Sequence, residues 1–199
     1  MGRRLVLASA SPVRRRVLLE AGFDPEVIVS GAGEDDVTGP TATVAEVLAE
    51  RKARVVAERL AGEDALVLGC DTVLDVEGET RGKAPSLEVA RAWWASVAGR
   101  SATLHSGLCV LDTASGRGAS GVASTVVHYG HPTEREMNAY LATGEPLHVA
   151  GGFTIDGYAA PFVDRIEGDH AAVLGLSLPL LRRLLAELGI EITDLWVAR

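Results

Sequence analysis

The residues from Leu5 to Gly22, LVLASASPVRRRVLLEAG, decide how the chain folds at its start and set the pattern for the rest. Leu5-Val6-Leu7-Ala8 is a short apolar run with the length and character of a buried strand. After Ser9-Ala10-Ser11 a helical pattern starts at Pro12, with Val13, Val17, Leu18 and Ala21 on one face. Ser11 suits the N-cap, Pro12 the first helical position and Gly22 the stop. Arg14-Arg15-Arg16 then lie at the positive end of the helix dipole, where each charge is unfavourable by roughly 0.3–1 kcal/mol. The run is either a solvated basic face or an anion site in which backbone N–H groups, two serine hydroxyls and guanidinium forks converge. Strand, serine turn and arginine-rich helix start together favour phosphate.

Strands and helices alternate along the chain, which predicts an α/β fold in one domain, 1–199. Glu26–Ser30 (EVIVS) reads as a strand running into an acidic loop, Gly31 to Asp36. Thr43 and Glu46 form a capping-box signal for a helix to about Leu60, with Val44, Val47, Leu48, Val55 and Val56 buried and Glu46, Glu50 and Arg54 opposite. Lys52 falls within that apolar arc, so it either snorkels or points into a charged site. Ala65–Gly69 (ALVLG) reads as a second buried strand that delivers Asp71 just past its end, where open α/β sheets place their chemistry. Val73–Val76, a turn at Glu77-Gly78-Glu79 and Thr80–Lys83 predict a hairpin returning Lys83 towards Asp71.

Further on, Ser86 caps a predicted helix through Val97, and 101–111 and 120–129 carry strand patterns. Thr133 and Glu136 form a second capping box, whose helix Gly144 and Pro146 stop. Gly151 to Gly157 (GGFTIDG) suits close backbone approach by a ligand or a second chain. The last helix, Leu178 to Leu188, packs by Leu181, Leu184, Leu185 and Leu188.

Composition bounds the function. With 199 residues, 47% hydrophobic and 23% charged, the chain is of ordinary globular make-up. A net charge of −8 and few aromatics argue against nucleic-acid binding by a basic surface. No apolar run approaches the roughly 20 residues of a membrane span and the opening residues lack a signal-peptide pattern, so a cytoplasmic protein is expected. Cys70 and Cys109 form no CxxC, and reduced thiols are the default. The five histidines have no zinc-type spacing, and His128 and His131 fall in a predicted Gly/Pro-containing loop.

One cationic set (Arg14, Arg15, Lys52, Lys83) and one acidic set (Glu34, Asp35, Asp71) remain. Polyphosphate hydrolysis needs both kinds. Cations neutralise phosphate charge as it redistributes, carboxylates hold Mg²⁺ or Mn²⁺ with several waters, and a carboxylate or the metal prepares the attacking water. No Ser–His or Cys–His pairing is suggested, which disfavours a covalent intermediate.

The segments SASPVRRR, LAERKA at 48–53, GCDTV at 69–73, RGKAP at 81–85, AGR at 98–100, TGEPL at 143–147, AGGFTIDG at 150–157, DRIEGD at 164–169 and VLGLSLPLL at 173–181 follow in order over nearly the whole chain. This set resembles the Maf family of nucleoside triphosphate pyrophosphatases. The resemblance implies a Maf/ITPase-like α/β fold, with an elongated central mixed β-sheet flanked by helices, two lobes with a cleft between them, and often a homodimer. It implies hydrolysis of a nucleoside triphosphate to the monophosphate and pyrophosphate with a divalent metal, a house-cleaning of unwanted nucleotides. By the same resemblance Asp71 is the proton acceptor, and Ser9, Ser11, Arg14, Lys52 and Lys83 handle phosphate. Glu34 and Asp71 are then the metal ligands. The sequence departs from the common pattern at Val13, where many members have Arg, at Gly33 in place of an acid, at Ala84 in place of Pro, and at Asp156. Members directed at dTTP and UTP usually carry Gln at this last position, which makes Asp156 the candidate for reading the base. An ionised carboxylate only accepts, so it prefers base N–H groups. The rival reading is a nucleotide-binding regulator of septum formation without turnover, and a monophosphatase would differ by its product.

Overall fold

The computed structural model describes residues 3–34 and 36–197. Asp35, part of the acidic set, lies outside the described residues. Seven strands form one mixed sheet: β1 (Arg4–Leu7), β2 (Glu26–Val27), β3 (Ala65–Val76), β4 (Glu79–Arg81), β5 (Ser101–Asp112), β6 (Gly118–Tyr129) and β7 (Val163–Glu167). Their order is β2-β1-β3-β5-β6-β7, with β4 also on β3. The β1 pairings with β2 and β3 are parallel and all others antiparallel. The helices are α1 (Pro12–Glu20), α2 (Thr41–Arg59), α3 (Leu87–Val97), α4 (Glu134–Ala142), α5 (His170–Val173) and α6 (Leu178–Glu187). This is the expected α/β architecture.

β3 organises the sheet. On one edge it pairs with β5 from Leu66 to Asp75. On the other it pairs with β1 over Ala65–Leu68 and with β4 over Leu74–Val76, so the edge forks between the two. Because successive side chains alternate between faces, its even-numbered residues write a pattern on one face. Leu66, Leu68 and Cys70 join β5 Leu108 and Val110, α1 Val17 and Leu18, and α6 Leu180, Leu181, Leu184 and Leu185 in one core. Leu74 and Val76 join β5 Ala102 and Leu104, α3 Trp94 and α4 Tyr140 and Leu141 in a second. Between them stands Thr72, in register with Ser106. The two lobes are these two cores, divided by one polar pair.

The opposite face belongs to α2, and here glycine is required. A Cβ on Gly69 would lie 2.0 Å from Ala49 O and 2.7 Å from Ala53 N, and one on Gly107 would lie 2.1 Å from Ala45 O. The alanines of α2 therefore rest on bare sheet backbone. This sets the buried arc as Val44, Ala45, Leu48, Ala49, Ala53 and Val56, rather than one running through Val47 and Val55. Val47 is exposed. Small side chains, not only large ones, mark the contact side.

Several local expectations hold. Ser11 caps α1, with Pro12 first and Gly22 at φ +92°, and Ser86 caps α3. The second capping box is complete, with Thr133 and Glu136 exchanging hydrogen bonds. Others are corrected. α2 starts at Thr41 after Pro40, without a side-chain cap. Thr43 lies inside the helix, and Glu46 accepts from Ser120 on β6 instead. The strand at Glu26–Ser30 is only two residues long because it pairs with β1 alone. His128 is on β6 rather than in a loop, paired to Glu167. Most importantly, Asp71 lies within β3 and not beyond its end, since β5 runs alongside past the point where β1 stops.

The α2 contact yields a stability test. Gly69→Ala drives a methyl into helix backbone and is expected to destabilise by about 1–3 kcal/mol, seen as a Tm fall of roughly 3–10 °C. Gly82→Ala, which meets nothing within 4 Å, is the control, and equal melting of both variants would refute the contact.

Candidate active site

At the fork in β3 one side chain closes the gap. Arg14, from the first turn of α1, donates Nη1 to Cys70 O (2.9 Å) and to Ser9 Oγ (3.0 Å), Nη2 to Thr72 Oγ1 (3.0 Å) and Nε to Gly175 O (2.9 Å). Thr72 Oγ1 and Ser106 Oγ are 3.2 Å apart, and Ser106 donates to Ala172 O at 2.6 Å. The polar seam between the cores is thus hydrogen-bonded across its width, as burial demands. The four bonds use four of the five N–H groups of a guanidinium. Ser9 Oγ also accepts from Ser11 N, and Ser11 Oγ accepts from Arg14 N as the cap. Each hydroxyl acts here as acceptor, so its own proton can serve an incoming anion at the N-terminus of α1.

On the other face, close seating of α2 settles the question of Lys52. Its Nζ lies 2.5 Å from Asp71 Oδ1 and 2.6 Å from Glu34 Oε1, so it points into a charged site and does not snorkel. Lys52 and Asp71 side chains are 11% and 9% exposed, and Glu34 is half-exposed. Burial pushes the Asp71 carboxyl above the usual carboxylate range, with Glu34 adding to the rise, while Lys52 and Arg14 pull it down without cancelling the rise. Neighbouring Cys70 faces the apolar core, and burial pushes its thiol up to about 11, which keeps it un-ionised and a poor nucleophile.

The fit of a divalent cation follows from the donor set. One ammonium reaches both Glu34 and Asp71, which shows that their oxygens converge on a single positive charge. Two carboxylates suit Mg²⁺ or Mn²⁺, which retain waters and take phosphate oxygens for the remainder. Among the described residues no group of three His, Cys, Asp or Glu has metal-binding geometry. Sequence reasoning missed what holds Glu34 in place. Arg51 donates to Gly33 O at 2.7 Å and to Asp36 Oδ1 at 2.5 Å, and Arg59 to Val29 O at 2.9 Å, pinning the acidic loop to α2. Adjacency of Arg51 to Lys52 was the available signal.

The remaining candidates spread outward. Lys83 is exposed, follows β4 and bridges to Ala150, and among the described residues it makes no ion pair. Asp156 is on the loop after Gly151 and Gly152 and pairs with Arg16, while Arg15 is exposed. The glycines of this loop serve close approach within the chain. Gly151 packs on Leu74, and Gly152 O accepts from Trp94 Nε1 and Tyr140 OH. No helix among the described residues is long and apolar enough to cross a membrane.

If Arg14 holds the seam, its fork geometry matters and not its charge alone. Arg14→Lys is expected to lose roughly 1–3 kcal/mol in denaturant unfolding because Cys70 O and Gly175 O lose donors. Wild-type stability in Arg14→Lys would show that the seam does not depend on it.

Comparison with known proteins bears on the same residues. The family profile for Maf-like protein matches residues 4–188. A nucleoside triphosphate pyrophosphatase of Streptomyces coelicolor is 59% identical over 195 residues, covering 98% of this chain and 95% of that protein. One from Streptomyces avermitilis is 57% identical over 198 residues, covering 99% and 96%. One from Salinispora tropica is 52% identical over 197 residues, covering 97% and 87%. With a matched region that takes in the forked strand, the Arg14 seam and the Lys52–Asp71–Glu34 cluster, the chain belongs to the Maf family.

Proposed function

We propose that the chain hydrolyses a nucleoside triphosphate to the monophosphate and pyrophosphate, with Mg²⁺ or Mn²⁺. The observation that carries this reading is the cluster in which one ammonium, Lys52, sits between the buried Asp71 and Glu34 at the fork of β3. Family membership and the name of relatives such as the Streptomyces coelicolor nucleoside triphosphate pyrophosphatase agree with it.

In this reading the triphosphate lies at the N-terminus of α1, where Ser9 and Ser11 hydroxyls donate to it and Arg14 keeps both serines in place. Lys52 and Lys83 supply cationic charge to phosphate oxygens as negative charge builds on the leaving pyrophosphate. Asp71 takes a proton from the water that attacks the α-phosphorus. The α–β anhydride bond then breaks, and water supplies the oxygen that the monophosphate gains. Raising of its pKa by burial makes Asp71 a stronger base than an exposed carboxylate. Glu34 and Asp71 would hold the metal, which when bound supplies neutralisation of phosphate charge. Lys52 and Arg14 favour the ionised form of Asp71, which is the form that acts as base. Asp156 is the residue assigned to the base.

Asp71→Asn is expected to lower kcat by about 10²–10⁴-fold, with nucleotide affinity within roughly fivefold of wild type. Turnover at the wild-type rate would remove Asp71 from the chemistry. The base works ionised, so activity should rise with pH through the Asp71 pKa. Lys52→Met removes a charge that lowers that pKa, so the acidic limb of its residual kcat/KM profile should move to higher pH. An unmoved limb would uncouple Lys52 from Asp71.

Pyrophosphate release should vanish on chelation and return with Mg²⁺ or Mn²⁺. Glu34→Gln should raise the metal concentration needed for half-activity by about tenfold. Metal-independent release of pyrophosphate would defeat the metal assignment, and nucleotide binding without any release would favour the regulator.

A further inference from the structure

An ion pair between Arg16 and Asp156 links the helix that follows the phosphate serines to the loop that carries the base candidate. Arg16 Nη2 donates to Asp156 Oδ2 across 140 positions of sequence. Arg16 Nε lies 3.8 Å from Glu20 Oε1, a looser contact on its own helix. No hydrogen bond among the described residues uses Asp156 Oδ1 or Arg16 Nη1. Both side chains reach solvent, at 48% exposed for Arg16 and 27% for Asp156. Neither backbone is loose. Arg14 fixes α1 from one side. On the other, Glu145 accepts from Thr154 Oγ1 at 2.8 Å, Tyr158 N at 2.9 Å and Ala159 N at 3.3 Å, bracketing Asp156. An exposed pair held from two firm supports is a preorganised recognition surface.

We propose that Arg16 is a specificity-determining residue that reads the nucleobase jointly with Asp156; this rests on the reading that Asp156 faces the base. A lone carboxylate can accept from two adjacent donors, as guanine presents at N1–H and its 2-amino group. With Oδ2 engaged by Arg16, one accepting oxygen stands beside one donating guanidinium edge. That unit suits a base edge with one donor next to one acceptor, which the N3–H and O4 of uracil or thymine present and which the N1–H and O6 of guanine present equally. It leaves the second guanine donor without an acceptor. Arg16 thus gives uracil or thymine a second bond that a lone carboxylate cannot, while guanine has two either way, so the guanine preference of an acidic position is removed.

The experiment is calorimetric binding of the α,β-methylene analogues of UTP and GTP, in the presence of Mg²⁺, to wild type, Arg16→Ala and Arg16→Gln. These analogues are not cleaved at the bond in question, so affinity is read apart from turnover. Removing Arg16 is expected to raise the affinity for the guanine analogue relative to the uracil analogue by about tenfold, the worth of one well-placed hydrogen bond. Arg16→Gln, which keeps a donor without the charge, should shift the ratio less. A clasp with a structural role alone would weaken both analogues equally, and an unchanged ratio in both variants overturns the proposal. Pyrophosphate release from the parent nucleotides, measured alongside, separates the two readings. A shifted ratio without release leaves the Arg16 assignment and defeats the hydrolase. Release with an unchanged ratio does the reverse, and failure to bind either analogue defeats both.

Discussion

The polar seam at Thr72 and Ser106 is the constraint around which the molecule is arranged. Every other even-numbered position of β3 from Leu66 to Val76 is apolar and feeds one of two cores. A pair of hydroxyls in the middle of such a face would leave buried groups unsatisfied unless something polar reached them. Arg14 and Ala172 O do so. The same requirement explains why β1 stops at Leu7 and β4 stops at Arg81: the edge of β3 between their partners is held by a guanidinium rather than by a strand. An open strand edge stopped by a cation is also a place where an anion can approach. Fold and candidate chemistry thus share one cause.

The second condition is the depth of α2. Alanines at 45, 49 and 53 over glycines at 69 and 107 bring the helix onto the sheet backbone. Lys52 is thereby carried to Asp71. A larger residue on either surface would lift the helix and separate the pair. Burial at this depth raises the Asp71 pKa more than Lys52 and Arg14 lower it. Desolvation therefore wins over two nearby cations, and the outcome is a carboxylate that is both retained in its charged network and more basic than in water.

Much of this was legible in the sequence, and what was missed has a common reason. Caps and stops at Ser11, Ser86, Thr133 and Gly22 were readable because they depend on neighbours a few residues away. The strand-then-helix order was readable from periodicity, and a lysine within an apolar arc correctly raised the question of a charged site. Where the reading failed, a distant partner decided the result. Asp71 looked like a residue past a strand end because Gly69 and Asp71 break the apolar run, yet β5 keeps that segment extended by pairing on its far edge. The Thr43–Glu46 signal lost to Ser120, which takes the Glu46 carboxylate from another strand. Arg51 went unnoticed because its function is to hold a loop, and no local pattern records that.

Three arginines at the opening of one helix illustrate how such a cost is met. Left bare, each would oppose the dipole of α1. Arg14 spreads its charge over two carbonyls and two hydroxyls, so it acts on the backbone at least as much as on any ligand. Arg16 is answered by the Asp156 carboxylate, with Glu20 further off. Arg15 is exposed and makes no ion pair among the described residues. The basic run is therefore neither the solvated face nor the undivided anion site that its sequence allowed. It is one structural fork, one partnered charge and one solvent-facing charge, separated because successive residues on a helix point about 100° apart and meet different surroundings. What this end of α1 can offer an anion is then chiefly the pair of serine hydroxyls and the helix terminus itself, with the arginines deciding where those groups stand.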